Sequence, residues 1–299
     1  MANFDDIISS KPTQDPKQSF TSFDKDEWAA KKKQEREDAY ALIDSTAERM
    51  AGDGKLFQTY LDVQSRFDRY SVSNALLIAA QKPDAVKLAD FQTWKKANVY
   101  IKKGESGITT LEPGKEYTRS DGSTGVSYNA KRMFDITQTT SRQQPIQTVS
   151  HDPRLLLQAL IYNAPCEIEI SDRLSDNVGA VYQPQEKKIL VRQGMDAPDI
   201  FRSIAQELAH VHMDKGNYNR SECAFPAYCA AYMLCKRYGV SVSTFRFDRL
   251  PESLAHMDAK ALRSQLGQIR DVVGDMSANM SRVLEPRQRE QKNRGGDAR

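Results

Sequence analysis

Ala39, Leu42, Ile43, Ala47 and Met50 recur at intervals of three and four inside an otherwise charged segment. That spacing predicts an amphipathic helix over 28–50, ended by Gly52 and Gly54. Tyr60, Leu61, Phe67, Leu76, Leu77 and Ile78 predict a second helix over 57–81, stopped by Lys82-Pro83-Asp84. From 85 to 140 the apolar runs shorten, and Lys102-Lys103-Gly104-Glu105-Ser106-Gly107, Glu112-Pro113-Gly114 and Ser120-Asp121-Gly122-Ser123 punctuate them as turns. This texture predicts a small hairpin sheet with arms over 108–111 and 126–136. Beyond a stretch rich in Thr, Ser, Gln and Pro, the pattern predicts a helix over 153–162 and strands over 166–170 and 188–191 joined through Gly179. Helices over 198–213 and 224–238 follow, the latter closed by Gly239. Leu262, Leu266, Ile269, Val273, Met276 and Met280 mark a last helix over 259–284.

The expected class is α+β in two domains: a helix-plus-small-sheet module over 26–140 and a mainly helical module over 151–285, joined by a linker over 141–150. Residues 1–25 lack apolar periodicity and read as disordered, as does the weakly basic tail over 286–299. Among the 299 residues no apolar run approaches the roughly 18 needed to span a bilayer. The acidic start, Asn3-Phe4-Asp5-Asp6, carries no secretory pattern, so the cytoplasm is the expected compartment. Cys166, Cys223, Cys229 and Cys235 form no C-x-x-C pair and read as small buried hydrophobes. A net charge of +3 permits nucleic-acid binding without arguing for it.

The most specific local signal is Gln206-Glu207-Leu208-Ala209-His210 within an amphipathic helix. In the H-E-x-x-H pattern of zinc hydrolases, two histidines four apart bind the metal and the glutamate serves as general base. Glu207 and His210 occupy the second and fifth positions, but the first is Gln206, whose neutral amide oxygen is a poorer ligand than imidazole. Glu222, twelve residues beyond His210, is the candidate third ligand. Asp214, four beyond His210 on the same helix face, offers a shifted set of His210, Asp214 and Glu222. The expectation is a weakened or vacant zinc site at His210, Glu222 and Gln206, no other cofactor, and Glu207 catalytic only if the metal binds.

Several ordered motifs then resemble one family. Tyr70-Ser71-Val72-Ser73-Asn74, Ala80-Gln81-Lys82-Pro83-Asp84-Ala85, Phe91-Gln92-Thr93-Trp94-Lys95-Lys96 and Phe134-Asp135-Ile136-Thr137-Gln138-Thr139 are similar to the N-terminal domain of the ArdC antirestriction family. The stretch around Gln206-Glu207-Leu208-Ala209-His210, Glu222 and Tyr232-Met233-Leu234-Cys235 looks like the metallopeptidase-like domain that follows it in relatives on conjugative elements, and like the wider ImmA/IrrE zinc peptidases. The resemblance implies single-stranded DNA binding by the first module and protection of transferred DNA from restriction by the whole. The departure at Gln206 points away from an active peptidase. An active zinc peptidase cutting a regulator, and a non-catalytic scaffold holding a protein partner, are the alternatives.

The residues of the first module suit a single strand. Between Tyr60 and Arg132, basic residues outnumber acidic ones by four, with aromatic residues among them. Cations follow phosphates while aromatic faces stack on bases without reading sequence. The candidate contacts are Lys95, Lys96, Lys102, Lys103, Trp94, Tyr70, Asn74 and Arg132, set against the simpler reading that the aromatics are core, the lysines a solvated face and Asn74 a local hydrogen-bonding residue.

Overall fold

The computed structural model describes residues 24–141 and 151–294, from 286 on as backbone only. Of the disordered stretch expected over 1–25, residues 1–23 lie outside the described residues, as does most of the expected linker, while Asp24 and Lys25 belong to the first helix and its cap. Helix α1 (Lys25–Ala51) starts where the Asp24 carboxylate accepts the Asp26 and Glu27 N–H groups, and it buries Ala39, Ile43, Ala47 and Met50. Where one helix is expected over 57–81 there are two, α2 (Gly54–Arg66) and α3 (Val72–Gln81). The buried Gln64 explains the break: its amide donates to the carbonyls of Phe67 and Tyr70, stabilising a bend that Ser71 then caps as the start of α3. Gly54 is required at the head of α2, because a Cβ there would sit 1.6 Å from the Phe247 carbonyl oxygen.

The first sheet has the order β1 (Leu88–Asp90), β3 (Thr124–Asp135), β2 (Ile108–Thr118), antiparallel throughout, with the short α4 (Phe91–Lys96) following β1. Glu112-Pro113-Gly114 is not a turn but a register shift inside β2, between Pro113 and Glu116. Proline is tolerated there because β2 is an edge strand. The outer edge of β2 is covered by side-chain amides. Asn74 donates to the Leu111 carbonyl and accepts its N–H, while Gln81 does the same for Thr109. Two helical turns on α3 thus match one side-chain repeat along β2, and α3 stands in for a strand. Asp135, fully buried, accepts the N–H groups of Val86, Lys87 and Thr137 and forms a capping box with Gln138, whose amide reaches the Ser106 carbonyl.

The second half runs α5 (Pro153–Ile161), β4 (Glu167–Ser171), β5 (Ala180–Gln183), β6 (Lys188–Arg192), α6 (Ala197–Met213), α7 (Arg220–Tyr238), α8 (Glu252–Ala255) and α9 (Ala259–Arg294). Its sheet has the order β4-β6-β5, with β6 parallel to β4 and antiparallel to β5. β5, like β1 of the first sheet, is absent from the sequence expectation. α7 begins at Arg220 rather than 224 because Asn219 caps it, and Pro226 is accommodated inside its second turn. α9 runs past 284, where the sequence pattern predicts its end, and continues as a helix through Pro286 to Arg294.

The class is α+β, each half carrying its own small sheet. The helices of the halves nevertheless share one continuous core. Phe57 of α2 packs on Phe225 and Phe247. Tyr232 of α7 donates to Asp62 of α2, which also pairs with Lys236. Arg263 of α9 pairs with Asp44 of α1. No helix among the described residues is long and apolar enough to cross a membrane.

Candidate functional site

Helix α6 starts at the Asp196 cap with Pro198 in its first turn, and buries Phe201, Ile204, Ala205, Leu208 and Ala209. Glu207 and His210, three apart, fall on that buried face and are 3% and 1% exposed. A carboxylate so deeply buried requires partners, and Glu207 has a full set. Tyr182 of β5 donates its backbone N–H at 2.7 Å, and the Arg220 guanidinium donates two bonds, at 2.9 and 2.8 Å. The bond to Glu207 pushes the Arg220 guanidinium above its ordinary value. Burial pushes the His210 imidazole down, opposed by Glu207 and reinforced by Arg220, and its Nδ1 lies 3.1 Å from the Tyr218 hydroxyl. Tyr182 also donates its hydroxyl to Asp214, and burial with that bond pushes the phenol up to about 12. A cleft of about 600 Å³ lies alongside, lined by Cys166, Tyr182, Lys187, Asp214 and Tyr218 among others.

This arrangement does not fit a zinc centre. Gln206 is half-buried, and Glu222 is exposed on the first turn of α7 with its carboxylate accepting from the Asn219 amide. The shifted set fails outright: among the described residues no three His, Cys, Asp or Glu side chains gather as a metal-binding group, so His210, Asp214 and Glu222 do not come together. Glu207 already faces a cation, and that cation is Arg220. A general base needs a carboxylate free to take a proton from water, whereas Glu207 spends both oxygens joining α6, α7 and β5. Arg220, unremarked in the sequence, is the residue that changes the reading of this helix.

The nucleic-acid candidates divide. Lys95 and Lys96 are exposed on the last turn of α4, where they also complement the helix dipole. The chain then turns through Asn98, whose φ is 56°, with the Val99 N–H returning to the Trp94 carbonyl. Exposed Lys103 follows, and exposed Lys102 donates to the Thr137 carbonyl. Lys95, Lys96 and Lys103 make no ion pair among the described residues. Arg132 is exposed and donates to the Gly107 carbonyl. Trp94, by contrast, is 5% exposed and its indole N–H donates to the Phe134 carbonyl, so its ring cannot stack on a base. Tyr70 is half-buried, edge-on to Phe67, and both polar atoms of the Asn74 amide are held by Leu111. Among the aromatic residues over 85–140, Phe91, Tyr100, Tyr117 and Tyr128 are exposed, Tyr117 with the Arg119 guanidinium over its ring. Phe91 and Trp94 are three apart on a two-turn helix lying against a sheet, and only Trp94 turns inward.

The architecture is that of a solved antirestriction protein. The metal-free structure of antirestriction ArdC protein from the R388 plasmid superposes with a TM-score of 0.51 at 18% identity, covering 71% of this chain and 86% of that one. Its Mn(II)-bound structure gives 0.55 at 16% identity, covering 80% and 98%. At this identity the likeness is one of fold. No family model matches the chain, and no curated protein sequence does.

Proposed function

We propose that this protein binds single-stranded DNA in the bacterial cytoplasm as an antirestriction or DNA-protection factor of a mobile element, with the α6–α7 junction serving as a metal-independent scaffold. The observation that carries the DNA reading is the segment 91–103. There Phe91 and Tyr100 present open ring faces beside Lys95, Lys96 and Lys103, none of which is neutralised by a carboxylate among the described residues. Stacking faces and uncommitted cations within one short stretch suit a flexible strand better than a duplex, whose bases are closed to stacking. The fold shared with ArdC of plasmid R388 supports the biological setting. The Glu207–Arg220 pair favours the scaffold role over peptide cleavage for the second half.

The test is a titration of the full chain against labelled single-stranded and duplex DNA of one sequence, at two salt concentrations. Binding should prefer the single strand and weaken with salt. Neutralising Lys95, Lys96, Lys102 and Lys103 together should reduce the log–log salt slope by about 0.7 for each phosphate that no longer meets a cation. An unaltered slope in that variant, or no binding of either DNA at low salt, overturns the assignment.

A further inference from the structure

Where α2 ends, a cavity of about 240 Å³ opens between it, α7 and α9, and belongs to neither site above. Met233 and Val273 contribute an apolar lining, while Ser277, Arg69, Arg237 and Arg270 bring polar groups to it. The Ser277 side chain is 5% exposed, and its hydroxyl has no hydrogen-bond partner among the described residues. A buried hydroxyl left unpaired costs free energy, so such a group aimed at a cavity marks where a ligand atom belongs.

The charges around it select the ligand. Arg237 is committed to Asp68 at 2.7 Å, which disposes of one carboxylate lining the cavity. Glu285, the other lining carboxylate, is exposed. Among the described residues Arg270 is paired only with Asp271, its neighbour in sequence, whose side chain is 66% exposed and outside the cavity. Arg69 makes no ion pair or hydrogen bond with any described residue. Two guanidiniums are thus free, or held only by a solvated partner, beside an unpaired buried hydroxyl. Two guanidinium forks and a hydroxyl are three donor groups, one for each acceptor oxygen of a phosphate monoester, whereas a carboxylate has two oxygens and an apolar ligand none. Access is open at Gly274, where an added Cβ would meet nothing within 4 Å.

We propose that this cavity binds a phosphate group, free or esterified, between Arg69, Arg270 and the Ser277 hydroxyl. The site stands independently of the DNA reading. Two sources share the chemistry, a small phosphate or mononucleotide and the 5′-terminal phosphate of a strand.

Thermal denaturation of the full chain in inorganic phosphate, against chloride at matched ionic strength, tests it. Phosphate should raise the melting temperature. Arg69→Gln and Arg270→Gln should each weaken the apparent affinity about tenfold. Gly274→Leu, which obstructs the mouth without altering a charge, should abolish the response. Ser277→Ala should lose phosphate stabilisation while leaving the unliganded protein as stable as before or more so, which a purely structural hydroxyl would not do. Deoxyadenosine monophosphate and oligonucleotides with 5′-phosphate or 5′-hydroxyl ends, used as competitors, identify the source. No effect of phosphate beyond chloride, or a full effect retained in Gly274→Leu and in the double arginine variant, overturns the proposal.

Discussion

Replacing Arg220 by Met strips Glu207 of two of its three hydrogen bonds and leaves a carboxylate that is 3% exposed holding only the Tyr182 N–H. Breaking a buried pair from one side costs about 3–5 kcal/mol when both partners are desolvated. The Arg220 side chain is 43% exposed, so solvent already screens part of the attraction and the expected loss is roughly 2–3 kcal/mol. Glu207→Gln should cost less, about 1–2 kcal/mol, because the guanidinium can turn to water while an amide oxygen still receives the Tyr182 N–H. The double variant should recover about 1–2 kcal/mol relative to the sum of the singles, the signature of direct coupling. Urea denaturation of the four proteins at neutral pH measures all three quantities. A coupling near zero, or a Glu207→Gln variant of unchanged stability that loses a proteolytic activity, would show that Glu207 is free for catalysis. Gln206→His combined with Arg220→Ala supplies the converse: manganese or zinc affinity should rise above that of the unaltered chain only once the guanidinium is gone.

Three other outcomes follow from the same geometry. Phe91→Ala and Tyr100→Ala should weaken single-stranded DNA binding by about 1–3 kcal/mol per missing stack with little change in stability, whereas Trp94→Ala should destabilise the fold by about 3–5 kcal/mol; parallel titrations and melts separate them. Asn74→Ala should cost about 2–3 kcal/mol in chemical denaturation by orphaning both backbone groups of Leu111, and a stable variant that fails to bind DNA would return Asn74 to the nucleotide contacts. Burial alone would raise the Asp135 carboxyl, but its hydrogen bonds from Thr137, Lys87 and Val86 outweigh that and hold it below the ordinary 3.8. With the folded value depressed, this stabilisation is complete above the unfolded value and is lost as the pH falls through the folded one, so Asp135→Asn should flatten the acid limb of a stability–pH curve below about pH 4.

Helical periodicity carried most of the secondary structure, because an amphipathic helix states its buried face in spacing alone. It failed where a side chain overrode the local pattern. Gln64 bends the chain between α2 and α3 by bonding to carbonyls that a continuous helix would have used itself. β5 is only four residues long, too short for alternation to show, yet it supplies the N–H that fixes Glu207. Glu207 and His210 were legible as a pair on one face, but their chemistry depends on Arg220, thirteen residues from Glu207 and on the next helix. Several motif residues owe their pattern to architecture: Asn74 and Gln81 to an open strand edge, Asp135 and Gln138 to a turn that must be tied down. Trp94 and Phe91 have equal claims on a core in the sequence, and only the direction in which α4 meets the sheet decides between them.

α9 packs on α1, α5 and α7, elements that all precede it in the chain. During synthesis the apolar faces of α1, α5 and α7 therefore leave the ribosome before Leu266, Ile269 and Met276 can close the core over them. The nascent chain must wait, exposed, for its brace, and chaperone dependence would be concentrated in that interval. A frameshift within the last helix would forfeit both halves of the molecule rather than trimming one.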